Sequence, residues 1–102
     1  MAHTWTDIHG GDYGSVGRLT VTEDGTAVDI SSYTTRQFIF KKPDGEQVTK
    51  TAAFDTNGVN GVLAYTIEDG LFDQAGAWAV RAKAEKTGVS VTSDWIEFDV
   101  EP

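Results

Sequence analysis

The sequence predicts an all-β sandwich, and three observations carry that prediction. Apolar residues recur at every second position through most of the chain, clusters of Gly, Asn, Asp and Pro interrupt this pattern at short intervals, and only one segment has a helix-forming composition. Period-two alternation places one set of side chains on one face of a strand, and closely spaced turn signals give many short strands rather than βαβ units.

The first strand is read in "SVGRLTVTEDG", where Val16, Leu19 and Val21 alternate with Arg18, Thr20 and Thr22. "TAVDIS" follows as a short extended piece carrying Val28 and Ile30. "TTRQFIFKK" is rich in β-branched and aromatic residues, with Phe38 and Phe40 as core candidates. It ends at Pro43, which has no N–H to donate and presets the first corner of a turn. Pro43, Asp44 and Gly45 are therefore read as a hairpin turn into the next strand, "EQVTKTAAF".

"DTNGVNG" is a loop of residues that tolerate positive φ, and "VLAYTI" resumes the alternation. The connection "EDGLFDQAG" carries Leu71 and Phe72, large apolar residues that predict a segment tucked over the core. "AGAWAVRAKAEKTG" has the Ala, Lys and Glu content of a helix. Its Trp78, Val80, Ala82 and Ala84 nevertheless fall on one side of a strand, and Arg81, Lys83 and Glu85 on the other, so strand is the reading. The last segment, "VSVTSDWIEFDV", changes parity between Val89 and Val91 and the later Ile96, Phe98 and Val100. A bulge near Ser93 and Asp94 would restore the facing. The chain thus reads as about six to eight short strands in one domain, residues 1–102, of which residues 1–13 are an N-terminal arm.

With 8 basic and 16 acidic residues the net charge is −8, which repels a phosphate backbone and argues against nucleic acid as a partner. The absence of cysteine removes disulfides, thiol nucleophiles and thiolate metal sites. No apolar run is long enough to cross a membrane as a helix, and the first residues lack the basic start and apolar stretch of a secretory signal, so synthesis in the cytoplasm is expected.

Three Asp-Gly pairs, Asp24-Gly25, Asp44-Gly45 and Asp69-Gly70, are candidate acidic sites, but Asp-Gly is first a turn signal. Asp55, Asn57 and Asn60 offer oxygens from one loop without the bidentate Glu that closes a calcium site. His3 and His9 lack the further ligand that zinc requires. No metal, cofactor or catalytic residue is assigned. Trp78 reads as the anchor of its strand, with Val80 and Phe98 beside it in the core. Trp5, Tyr33 and Trp95 are left as the candidate interaction surface, with protein contact ranked above carbohydrate.

In order, "GGDYGSVGRLTVTEDGTAVDIS", "FIFKKPDGEQVT", "NGVLAYTI", "AGAWAVRAKAE" and "SDWIEFDV" resemble a group of tailed-phage virion proteins. The similarity is to the N-terminal domain of the baseplate upper proteins and runs from about Gly10 to Val100. It implies an immunoglobulin-like β-sandwich of about seven antiparallel strands. It also implies a non-enzymatic structural role in a virion, in the tail, baseplate or neck, with other virion proteins as partners and self-association allowed. The competing expectations are a carbohydrate-binding module using Trp5, Trp95 or Tyr33, and a head-decoration protein.

The sequence alone sets one energetic expectation. Trp78→Ala lowers stability by about 3–5 kcal/mol, the scale for emptying a buried aromatic site. A loss below about 1 kcal/mol in a denaturant melt would place Trp78 on the wrong face of its strand.

Overall fold

A computed structural model describes residue 5 and residues 8–23 and 25–102. Within them every regular element is a strand. Eleven segments run in order: β1 (Ile8–His9), β2 (Val16–Thr20), β3 (Thr22–Glu23), β4 (Thr26–Ala27), β5 (Thr35–Lys41), β6 (Gln47–Thr51), β7 (Ala53–Phe54), β8 (Val62–Thr66), β9 (Gly76–Lys86), β10 (Val89–Thr92) and β11 (Ile96–Glu101).

The larger sheet has the order β1-β11-β9-β5-β6, with β10 also paired to β9. The second sheet is β2-β8-β7, and β3 and β4 form a separate hairpin. The expected count of about seven strands rises to eleven because three of the segments break in two and β1 is added. "EQVTKTAAF" leaves the larger sheet at buried Ala52, whose N–H donates to the Arg36 carbonyl, and continues as β7 in the second sheet. One pairing is parallel rather than antiparallel, since Ile8 lies against Val100 and His9 against Glu101.

The segment with helical composition is the longest strand, β9. Trp78, Val80, Ala82 and Ala84 are buried while the residues between them face outward. Burial of one complete face outweighs helix propensity of well under 1 kcal/mol per residue. The parity change after β10 is met by a one-residue bulge. Thr92 pairs with Lys83 and Ile96 with Val80, so residues 93–95 face only two residues of β9. The Ala82 N–H loses its regular ladder partner there and donates instead to Ser93 Oγ at 2.8 Å. Ser93 N–H in turn donates to the Ala82 carbonyl at 2.9 Å.

The hairpin between β5 and β6 closes through Gly45 N–H donating to the Lys42 carbonyl and Lys42 N–H to the Glu46 carbonyl. Gly45 adopts φ 93°, a conformation that a β-branched residue resists. Asp44 Oδ1 accepts the Glu46 N–H at 2.9 Å, the local bond that makes Asp a turn residue.

Between the sheets lies a linked set of rings. Phe38, Phe40, Phe72, Trp78 and Phe98 are all buried, as are Val80 and Val100. Phe72 meets Trp78 edge-on with centroids 5.3 Å apart, so the tucked connection from Ile67 to Ala75 seals one end.

Trp5, expected on an interaction surface, belongs instead to this core. Its ring centre lies 5.2 Å from that of Phe98, 6.0 Å from Phe40 and 6.2 Å from Phe38, and its indole N–H donates to the Arg18 carbonyl. Only 4% of the residue is exposed. The ring crosses β2 at Gly17, where a methyl group would run into Trp5 Cη2 and Cζ2. Gly17 is therefore the space that Trp5 fills.

Gly17→Ala is expected to cost about 1–3 kcal/mol by overpacking. The cost shrinks when Trp5 is replaced by Leu in the same chain, because the two changes share one contact. Equal costs in both backgrounds, measured by urea melts, would show that the glycine is needed for another reason.

Candidate functional site

Alternation along β9 sets a concave surface. Its outward positions near one end are Ala77 and Ala79, side chains too short to fill the space between their neighbours. Across the ladders Ala79 is flanked by Lys41 of β5 and Glu97 of β11, and Ala77 by Asp99. A row of cation, methyl and anion thus crosses three strands. The trough encloses about 430 Å³ and ends at Pro43 and Gly45 of the β5–β6 hairpin.

That end wall is held firmly. Lys42 Nζ lies 3.0 Å from Asp73 and 3.5 Å from Glu46. The hydrogen bond to Asp73 holds the Lys42 ammonium above its usual pKa, partly opposed by desolvation. Asp44 Oδ2 accepts Gln74 Nε2 at 3.1 Å. The Glu46 N–H and then this amide hold the Asp44 carboxyl below its usual value. Hairpin and tucked connection are therefore tied together by side chains as well as by the core.

A second surface lies on the loop between β1 and β2. Its backbone is pinned by Gly10 N–H to the Glu101 carbonyl, Gly11 N–H to the Phe72 carbonyl and Gly14 N–H to the Ile67 carbonyl. His9 N–H donates to Asp12 Oδ2 at 2.9 Å across the loop. Tyr13 projects from this frame and is 64% exposed. An aromatic side chain loses little entropy on binding, and a fixed backbone lowers the cost further.

The structure relocates two of the three aromatics expected on the surface. Trp5 is in the core, and Tyr33 is also buried, with its carbonyl accepting Arg36 Nη1 and Lys86 Nζ lying 4.9 Å from its ring centre. Trp95 is half-buried, and the Arg81 guanidinium sits 4.8 Å from its ring centre, covering one face. Tyr13 was missed because nothing in "GGDYG" has a period, although two flanking glycines in the positive-φ region signal a shaped loop.

The other acidic loops spend their oxygens locally. Asn57 Oδ1 accepts Val59 N–H, Asn60 Oδ1 accepts Val62 N–H, and Asp55 pairs with Arg18 at 2.8 Å. Asp29 accepts both the N–H and the hydroxyl of Ser31, the hydroxyl bond being the larger cause of its lowered pKa. Tyr65 is pushed up to about 12 by burial and its bond to Glu68. Gly25 and Gly70 both take positive φ in their turns. Asp24 and His3 lie outside the described residues.

The sequence matches the BppU N-terminal domain, that of phage baseplate upper proteins, over residues 4–102, and the chain belongs to that family. Comparison with curated proteins finds no match.

Asp29, Asp44 and Glu68 all have lowered pKa values. A carboxyl whose folded pKa is depressed adds stability above its unfolded value, and the gain is lost as pH falls through the folded one. The urea midpoint is thus expected to fall below about pH 4. Asp44→Asn keeps the turn acceptor but not the charge, so its midpoint should fall less steeply over the same range. Parallel curves for the two proteins would remove Asp44 from the acid response.

Proposed function

From its membership of this family, we propose that the chain is a non-enzymatic structural protein of a tailed-phage virion, acting through contacts with neighbouring virion proteins. Family membership carries the reading, and the two surfaces support it in physical terms. Tyr13 offers a large, rigid ring on a pinned loop, the kind of side chain that anchors protein interfaces. The trough over Ala77 and Ala79 offers a shape with a carboxylate wall facing Lys41, which orients a partner's charged side chains rather than transforming them. Both lie on backbone held by the core, so docking requires little reordering. The work of such a protein is to join subunits, and its location is the virion.

The test uses particles assembled with variant protein. Tyr13→Ala removes the anchor and Ala79→Trp fills the trough, and neither touches the core. Each is expected to melt like the wild type yet to lower incorporation into tail particles by about tenfold, the effect of losing roughly 1.4 kcal/mol of contact. Wild-type incorporation of both folded variants would show that neither surface contacts a neighbour.

A further inference from the structure

The strand edges of this protein differ in how they are defended. An exposed edge presents unpaired N–H and C=O groups, and proteins blunt such edges with charge or by keeping them short. Here β6 carries Lys50, β2 carries Arg18, and β1 and β7 are two residues each. By contrast, β10 reads Val-Ser-Val-Thr, has no charge, and among the described residues pairs only with β9. Its Val89 is 41% exposed.

The geometry also fixes which groups are free. The loop between β9 and β10 is Thr87-Gly88, so Lys86 and Val89 close the hairpin as a mutually hydrogen-bonded pair. Hydrogen-bonded pairs alternate, which makes Val91 and Ala84 the next. The Glu85 carbonyl accordingly turns the other way, accepting the Thr34 N–H at 3.0 Å on the β5 side. Ser90 and Thr92 are left with their N–H and C=O groups directed outward along the edge.

We propose that β10 is a self-pairing edge, at which a second copy of this chain adds its own β10 antiparallel across a two-fold axis. A two-fold perpendicular to the sheet keeps core face on core face, so opposed residues must share parity. With the axis at Val91, Ser90 lies opposite the partner's Thr92 and Thr92 opposite the partner's Ser90. These two pairs supply about four main-chain hydrogen bonds. Val91 meets the partner's Val91 on the core-side face, which covers apolar surface that β10 now leaves open. A second copy is the occupant this edge suits, because its register is self-complementary and it opposes no carboxylates despite a net charge of −8. The contact is small, so it is weak in free solution and gains force where copies are held close together. It does not depend on the virion reading, since it concerns the isolated chain.

Sedimentation equilibrium of the full chain, at loadings up to about 1 mM, tests it at the affinity expected of so small an interface. The wild type is expected to show a monomer–dimer equilibrium. Ser90→Lys sets two ammonium groups near the axis and should weaken association at least about tenfold, with an unchanged melting temperature. Ser90 and Thr92 amides of the wild type should exchange more slowly in concentrated than in dilute samples. A wild type that stays monomeric, a variant that dimerises equally, or amides indifferent to concentration would each overturn the proposal.

Discussion

The arrangement depends on one inserted residue. A strand exposes alternate side chains to opposite faces, so a shift of one position exchanges them completely. In β10 the core-facing residues are odd-numbered, with Val91 beside Ala84, whereas in β11 they are even-numbered, with Phe98 beside Trp78. Without the extra residue in 93–95, Phe98 and Val100 would face solvent, and Glu97 and Asp99 would enter an aromatic core. Ser93 makes the shift tolerable because it is buried yet fully used. Its hydroxyl accepts the Ala82 N–H and donates to the Asp94 carbonyl, while its own N–H donates to the Ala82 carbonyl. Arg81 donates to the Ser93 carbonyl and lies over Trp95, bracing the outer side of the same bulge.

What the bulge places inward must then be covered. Phe98 meets Trp5, Phe72 and Trp78, rings brought from the start of the chain and from residues 72–78. Trp5 reaches across to β2 through the gap at Gly17 and so contributes contacts to both sheets. The same cluster fixes the surfaces around it. The carbonyls of Phe72 and Glu101 hold the loop that carries Tyr13, so the exposed ring stands on groups whose neighbours are core residues.

How much of this was legible depends on whether the determining contact is local. The parity of Trp78, Val80, Ala82 and Ala84 is a property of one strand, and so is the break in parity that demands a bulge; both can be read directly. Pro43-Asp44-Gly45 is legible for the same reason, since the Asp44 bond to Glu46 N–H spans two residues. Trp5 was not legible, because no alternating pattern surrounds it and its burial depends on a glycine in another strand. Tyr33 was misplaced because its cover comes from Lys86, at the far end of β9. The trough is likewise invisible in one dimension. Ala77 and Ala79 look like helix formers until Lys41 and Glu97 stand on either side of them.

One continuous stretch of chain, from Val89 to Glu101, also carries two opposite surface policies, separated by the bulge. After it, β11 directs Glu97, Asp99 and Glu101 outward, a row of like charges that resists an approaching acidic surface. Before it, β10 offers only hydroxyls and valines. Because the bulge bends and twists the strand, the charged half and the uncharged half need not present to the same neighbour. Like charges repel most strongly within a screening distance of about 8 Å at physiological salt. A chain with net charge −8 therefore admits another acidic surface at lower cost where its own carboxylates are turned away. The residue inserted to keep Phe98 in the core thus also separates a strand whose outer face repels from a strand edge that can pair.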